Sequence, residues 1–79
     1  MSRIDFVWQE LLPRMKDAGL EDTIENRIYA LDCYETAVKE LVEQGQLVLT
    51  NEDTMIMHTV VLERHGLENR LKSAATEGA

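Results

Sequence analysis

The longest amphipathic segment of the chain lies between Asp22 and Gln44, and it constrains the fold more than any other feature. Apolar residues recur there at helical spacing and widen the apolar face well beyond a narrow stripe. Asp22 can form a capping box with Glu25, and Gly45 stands where a helix favours a glycine end. We expect a helix over about 23–44 that needs packing partners on more than one side. Its apolar face comprises Ile24, Ile28, Tyr29, Ala30, Leu31, Cys33, Tyr34, Ala37, Val38, Leu41 and Val42.

A second periodic segment predicts a first helix over about 3–18. Ser2 stands at its start with Asp5 placed for a capping box, and Gly19 follows its end. Pro13 lies inside the pattern, and proline lacks the N–H of a helical hydrogen bond, so either a bent helix or a break is expected. We favour the bent helix because the apolar stripe keeps its phase beyond the proline. The stripe comprises Ile4, Trp8, Leu11 and Met15.

The connection between these two helices, 19–21, is very short. Short helix–helix connections join antiparallel neighbours, so the first two helices are expected to form an αα-hairpin. Trp8 is the largest apolar side chain of the sequence, and we expect it to be buried between them.

The segment after Gly45 permits two interpretations. Residues 46–50 form a brief β-like run that could pair with 54–58 in a hairpin. Alternatively, a third helix begins near Thr50, and we favour this helix, over about 52–74, because its apolar residues fall on one face. That face comprises Ile56, Val60, Leu67, Leu71 and Ala74.

The fold class predicted from these elements is all-α. Residues 1–79 form one small domain, a three-helix chain built on an antiparallel helical hairpin, with a short β-like connection before the last helix. The tail, 75–79, carries no ordering signal and is expected to be disordered.

A chain of 79 residues buries only about 60% of the surface that its unfolded form exposes, so its core is small. Cys33 is the only cysteine, which excludes an intrachain disulfide. His58 and His65 lack the ligand spacing of a metal site. Association with another chain remains as the expected source of additional stability.

The formal net charge of −7 argues against a protein that simply coats nucleic acid. A local basic patch on the first helix, formed by Arg3, Arg14 and Lys16, is the candidate for contacts with double-stranded DNA. The sequence has neither an apolar run long enough to span a bilayer nor a signal-peptide core. We therefore expect a soluble intracellular protein that has no membrane partner.

Catalytic motifs are missing from the sequence. There is no glycine-rich phosphate loop, and the two serines stand near the ends. Cys33 could form a nucleophile–base pair with His58 or His65, but a cysteine on the apolar face of a helix is typically a packed, inert thiol. We predict that the chain is not an enzyme and uses no cofactor.

Apolar residues in the region 47–61 and on the flank of the second helix exceed what one small core can absorb. We predict a self-association surface, with a core of ordinary size as the alternative; methionines suit such adaptable contacts. The candidate interface residues are Tyr29, Cys33, Leu47, Leu49, Met55 and Met57.

The order of these features resembles the small subunit of tailed-phage terminases. In that family a tryptophan–leucine–proline helix precedes a Gly-Leu turn, and a helix rich in Cys, Tyr and Ala then runs to a glycine. The residues that carry the resemblance are Trp8–Met15, Gly19, Leu20, Leu31, Cys33, Tyr34, Ala37, Leu41 and Gly45. A basic, proline-rich leader and a tail beyond the last helix are usual in the family. This sequence departs from the family pattern in both parts. If the leader or the tail contacts DNA or the motor subunit, we expect the corresponding activity to be missing here.

The resemblance implies a non-enzymatic component of a viral DNA-packaging motor in the host cytoplasm. Members of this family assemble into rings, recognise viral DNA and regulate the terminase large subunit, which would be the protein partner. The alternative is a small helical regulator of phage origin that binds another protein and does not bind DNA.

Overall fold

The computed structural model describes the backbone of residues 2–77 and the side chains of residues 2–74. Three helices follow one another: α1 (Arg3–Asp17), α2 (Ile24–Glu43) and α3 (Asn51–Glu77). The described residues form no strand, so the all-helical prediction is confirmed. The β-like run before α3 is an irregular connection.

The N-termini of α1 and α3 are capped by side chains close to the predicted positions. The Ser2 Oγ atom accepts a hydrogen bond from the Asp5 N–H at 3.3 Å. At the start of α3 the bonds are reciprocal, because Thr50 Oγ1 accepts from the Asp53 N–H (3.1 Å) and Asp53 Oδ2 accepts from the Thr50 N–H (3.0 Å). Hydrogen bonds from Thr50 also lower the pKa of Asp53.

The cap predicted for α2 was wrong. The N-cap is Thr23, whose Oγ1 accepts a hydrogen bond from the Asn26 N–H at 3.1 Å. Thr23 stands directly before the helix and three residues before Asn26, which is the spacing that a capping hydroxyl requires. Asp22 lies one residue too early, and its carboxylate pairs with the guanidinium of Arg27 instead.

Glycine ends both α1 and α2, as predicted. Gly19 has φ 76° and Gly45 has φ 72°, a left-handed conformation that glycine adopts without a steric penalty. After α1, the Leu20 N–H donates to the Met15 carbonyl at 2.9 Å, and the Gly19 N–H donates to the Lys16 carbonyl at 3.0 Å. These two bonds form a Schellman motif, and the same pattern follows α2.

α1 and α3 are each continuous, although one contains a proline and the other a glycine. α1 runs through Pro13, which agrees with one helix rather than two. α3 includes Gly66 and begins at Asn51, so the β-hairpin alternative does not form. α3 also extends to Glu77, three residues beyond its predicted end, while residues 78 and 79 of the predicted tail lie outside the described part of the chain.

α3 packs against both other helices, whereas α1 and α2 contact each other least. The predicted hairpin of α1 and α2 is therefore not the main packing of this fold. Most of the core comes from α1 and α3, and α2 adds a single buried apolar residue. The buried apolar side chains are Val7, Trp8, Leu11, Met15, Leu31, Val60 and Leu67.

Side-chain contacts define how the helices run relative to α3. Arg3 at the start of α1 pairs with Glu52 at the start of α3, and Trp8 further along α1 bonds Glu63 further along α3. α1 and α3 therefore run in the same general direction. Residues late in α2 line a groove with residues early in α3, so these two helices are antiparallel.

Trp8 is buried where the three helices meet, with 9% of its surface exposed. Its Nε1–H donates to Glu63 Oε2 of α3 at 3.2 Å, and the guanidinium carbon of Arg27 from α2 lies 4.6 Å from the ring centroid. The predicted burial is confirmed, and the indole joins α3 as well as α2. Cation–π stacking and a satisfied indole N–H add to the burial of the ring.

Trp8→Ala is predicted to lower the free energy of unfolding by about 3–5 kcal/mol, since it removes a buried aromatic ring and leaves a cavity. Phe6→Ala on the same helix is the matched control. Phe6 is 54% exposed, and its truncation should cost about 0.5 kcal/mol or less. Urea unfolding followed by circular dichroism measures both values, and similar costs for the two variants would contradict the packing of α1 described here.

Candidate interaction surfaces

α2 is poorly covered by the rest of the chain. Leu31 and Glu35 are its only buried residues, although apolar residues occupy much of its circumference. α1 crosses one part of this surface and α3 another, and an apolar groove remains exposed on each flank of α2. Each of these two grooves is larger than the depression beside Phe6, which has a volume of about 310 Å³.

The first groove, here called the α1–α2 groove, has a volume of about 540 Å³. Its floor and walls are apolar, and the charged residues that line it are Glu10 and Arg14. These two form an ion pair at 3.0 Å, so the groove has little net charge of its own. The apolar lining comprises Leu11, Met15, Leu20, Tyr29, Ala30, Cys33, Tyr34, Ala37, Val38 and Leu41.

One exposed row of α2 side chains runs along this groove, which we call the α2 stripe: Tyr29, Cys33, Ala37 and Leu41. Successive members are four residues apart and therefore share one face of the helix. Tyr29 is 60% exposed and Leu41 is 40% exposed. Cys33 is exposed as well, so the expectation of a packed thiol was wrong. The Cys33 side chain, close to the Tyr29 phenol, raises the pKa of Tyr29.

The second groove, here called the α2–α3 groove, has a volume of about 610 Å³. It shares Val38 with the first groove, so the two grooves adjoin along α2. Several charged or polar side chains line it, which distinguishes it from the α1–α2 groove. The lining comprises Glu35, Val38, Lys39, Val42, Glu43, Leu49, Thr54, Met57, His58 and Val61.

A charged cluster at one edge of the α2–α3 groove links α2 to α3. Glu35 is buried. One of its carboxylate oxygens lies 3.0 Å from Lys39 Nζ, and the other lies 3.2 Å from Arg64 Nη2. Arg64 also pairs with Glu68 at 3.2 Å, while its buried Nε has no hydrogen-bond acceptor among the described side chains. The hydrogen bond from Lys39, assisted by Arg64, lowers the pKa of Glu35 despite its desolvation.

The three predicted DNA-contact residues do not form one cluster. Arg3 lies at the start of α1, roughly 16 Å along the helix from Arg14 and roughly 20 Å from Lys16 in its last turn. Arg3 is paired with Glu52 at 3.1 Å, and Arg14 is paired with Glu10. All three side chains are nevertheless exposed. A phosphate would have to compete with carboxylates for two of the three cations.

The predicted self-association residues fall on separate surfaces. Tyr29 and Cys33 line the α1–α2 groove. Leu49 and Met57 line the α2–α3 groove, and Leu47 lies with them beside the start of α3. Met55 lies elsewhere, where its sulfur is 3.5 Å from Arg3 Nη2. The structure therefore divides one predicted surface into at least two.

Sequence reasoning missed the residues that complete the α1–α2 groove. Ala37 and Leu41 follow Tyr29 and Cys33 at the same four-residue spacing, and this periodicity could have identified them. Val48 and Leu62 are 86% and 60% exposed. They lie in neither groove.

The described side chains contain no group of three or more His, Cys, Asp or Glu residues placed to hold a metal ion. His58 and His65 are both exposed on α3. In the described range no helix combines the length and apolar composition that crossing a bilayer requires.

Glu35→Gln is predicted to lower the free energy of unfolding by about 1–2 kcal/mol near neutral pH, because it removes the charge that Lys39 and Arg64 bind. Since the folded state lowers the pKa of Glu35, this contribution is full above the ordinary glutamate pKa and is lost as the pH falls through the lowered value. Urea unfolding at neutral and acidic pH should show the difference between wild type and variant shrinking in acid. Glu40→Gln, at an exposed position of α2, is the control and should change the free energy of unfolding little. If Glu35→Gln lowers the free energy of unfolding by the same amount at every pH, the ionic interpretation is contradicted.

Comparison with known proteins identifies no relative of this chain. No protein-family model matches the sequence, and searches of curated proteins and of solved structures give no significant match. The likeness to terminase small subunits therefore depends on the sequence features described above.

Proposed function

We propose that this chain is a non-enzymatic phage DNA-packaging component that resembles a terminase small subunit. In this role it works as a homo-oligomer in the host cytoplasm, recognises viral DNA and regulates the large subunit of the packaging motor. The proposal combines the order of sequence motifs with the surfaces of an all-helical chain.

The observation that carries the proposal is the exposure of α2. A small core that leaves two apolar grooves open on its longest amphipathic segment gains stability when other protein surfaces cover them. Two grooves on opposite flanks of one helix also provide two separate contact surfaces, as an assembly with itself and with a motor subunit requires. The apolar lining of the α1–α2 groove, with its two charged residues Glu10 and Arg14 paired to each other, favours contact with another protein surface.

A second candidate is a helical regulator that binds protein and does not bind DNA. The arrangement of the predicted DNA contacts favours it, because Arg3 and Arg14 are paired with carboxylates and Arg3 lies far from the other two cations. The net charge of −7 also opposes approach to a phosphate backbone. Assembly could still bring basic side chains of several copies together on one surface.

DNA binding at a series of salt concentrations separates the two candidates. If Arg3, Arg14 and Lys16 each contact phosphate, the plot of log affinity against log salt should have a slope of about −2.7 per bound copy, and replacing all three by Gln should abolish it. Arg70→Gln, an exposed cation of α3, is the control and should leave the slope unchanged. Absence of binding even at low salt would exclude the DNA-recognition role and favour the protein-binding regulator.

Cys33→Ser is predicted to leave the assembly state and any DNA binding unchanged, since the substitution keeps the size of the side chain while removing its nucleophilic sulfur. Light scattering and the same binding assay measure the outcome. Loss of DNA binding in a folded Cys33→Ser protein whose assembly state is unchanged would point to thiol chemistry and would contradict the non-enzymatic proposal.

A further inference from the structure

The α1–α2 groove remains an open apolar surface in the isolated chain. Tyr29 and Leu41 stand at the two ends of the α2 stripe with about half of their surface in solvent. Neither α1 nor α3 covers the stripe. The question is which molecule does.

The total surface of the chain indicates how much is left to cover. A monomeric protein of 9.1 kDa is expected to expose roughly 4,900 Å², whereas this chain exposes 5690 Å². The excess, about 800 Å², is comparable in size to the share that one partner buries in an interface of standard size. The radius of gyration, 13.9 Å, also exceeds the roughly 11.6 Å of a compact domain of this length. The long helix α3 and the open grooves beside α2 both contribute to the extended surface.

The α2 stripe has the symmetry that a contact between identical helices requires. Its order is large, small, small, large: Tyr29, Cys33, Ala37, Leu41. Two such stripes packed antiparallel about a two-fold axis place each Cys33 opposite the Ala37 of the other copy. The backbones can then approach closely at the centre, and each Tyr29 lies against the other copy's Leu41. An isologous interface uses the same patch on both subunits, which this pattern satisfies.

The two grooves differ in the charged residues that line them, and this difference favours one of them as the site for a second copy. Two chains of net charge −7 repel each other, so their contact must form where local charge is small. The charged residues that line the α1–α2 groove, Glu10 and Arg14, neutralise each other. In the α2–α3 groove Lys39 pairs with the buried Glu35, and the carboxylate of Glu43 adds a negative charge.

We infer that a second copy of this chain occupies the α1–α2 groove, with the α2 stripes of the two copies packed antiparallel across a two-fold axis. The inference rests on the proposed homo-oligomer and names its interface. An isologous contact closes on itself, so this interface alone produces a dimer. The α2–α3 groove of each subunit stays open for a further partner or for growth of the assembly.

The test compares two exposed leucines in the full chain. Because each copy contributes one Leu41, the change Leu41→Glu places two carboxylates in the interface. It should raise the dimer dissociation constant by on the order of a hundredfold or more. Leu62→Glu makes the same chemical change on α3 outside the groove and should leave the dissociation constant unchanged. Sedimentation equilibrium measures both, and circular dichroism verifies that each variant is folded.

Cys33 supplies a second readout that does not depend on a variant remaining stable. With Cys33 of each copy near the two-fold axis, a short bis-maleimide should cross-link two wild-type chains, and prior denaturation in urea should abolish the cross-link. Rising salt should strengthen the dimer, because it screens the repulsion between like-charged copies, whereas it weakens DNA binding.

The possible results separate this inference from the proposed function. An oligomer that persists in Leu41→Glu, or that gives no Cys33 cross-link, overturns the inference and leaves homo-oligomerisation standing. A wild-type chain that remains monomeric at high concentration and high salt overturns both. A dimer lost in Leu41→Glu but without binding to DNA or to a large subunit supports the interface and overturns the packaging role.

Discussion

The packing of α3 against both other helices holds this fold together. Val60 and Leu67 of α3 pack with the core residues of α1 and α2, which contact each other little. Trp8 lies where the three helices meet. The indole N–H is satisfied by Glu63, and Arg27 covers the ring face, so the largest apolar side chain is buried without an unpaired polar atom. Without α3, neither Trp8 nor Leu31 would have a complete set of neighbours.

The same arrangement leaves α2 exposed. α2 packs mainly against α3 and contacts α1 little, so Leu31 and Glu35 are its only buried residues. The apolar residues on its two flanks then line open grooves rather than the core. A small fold thus achieves a closed centre around Trp8 while it keeps apolar surface available for another chain.

Ion pairs within the chain determine how much charge each part of the surface presents. Arginine and lysine side chains mostly pair with carboxylates of their own chain: Arg3 with Glu52, Arg14 with Glu10, and Lys39 and Arg64 with Glu35. Such pairs reduce the field that any one cation presents to a phosphate. In the α1–α2 groove the same pairing removes local charge, which favours an apolar protein partner.

The sequence by itself determined the three helices and most of their ends, since capping hydroxyls and left-handed glycines act within a few residues of the chain. Ser2, Thr50, Gly19 and Gly45 act in this local way. Asp22 was misassigned because Thr23 occupies the cap position and the Asp22 carboxylate pairs with Arg27. Periodicity also placed α2's apolar residues on a broad face, but it could not say which of them the core would take. Only the tertiary structure decided that α3 rather than α2 is the central packing element, that Cys33 is exposed, and that six predicted interface residues belong to separate surfaces. Those outcomes depend on the angles at which helices cross, and crossing angles are set by side chains far apart in the sequence that meet only in the folded chain.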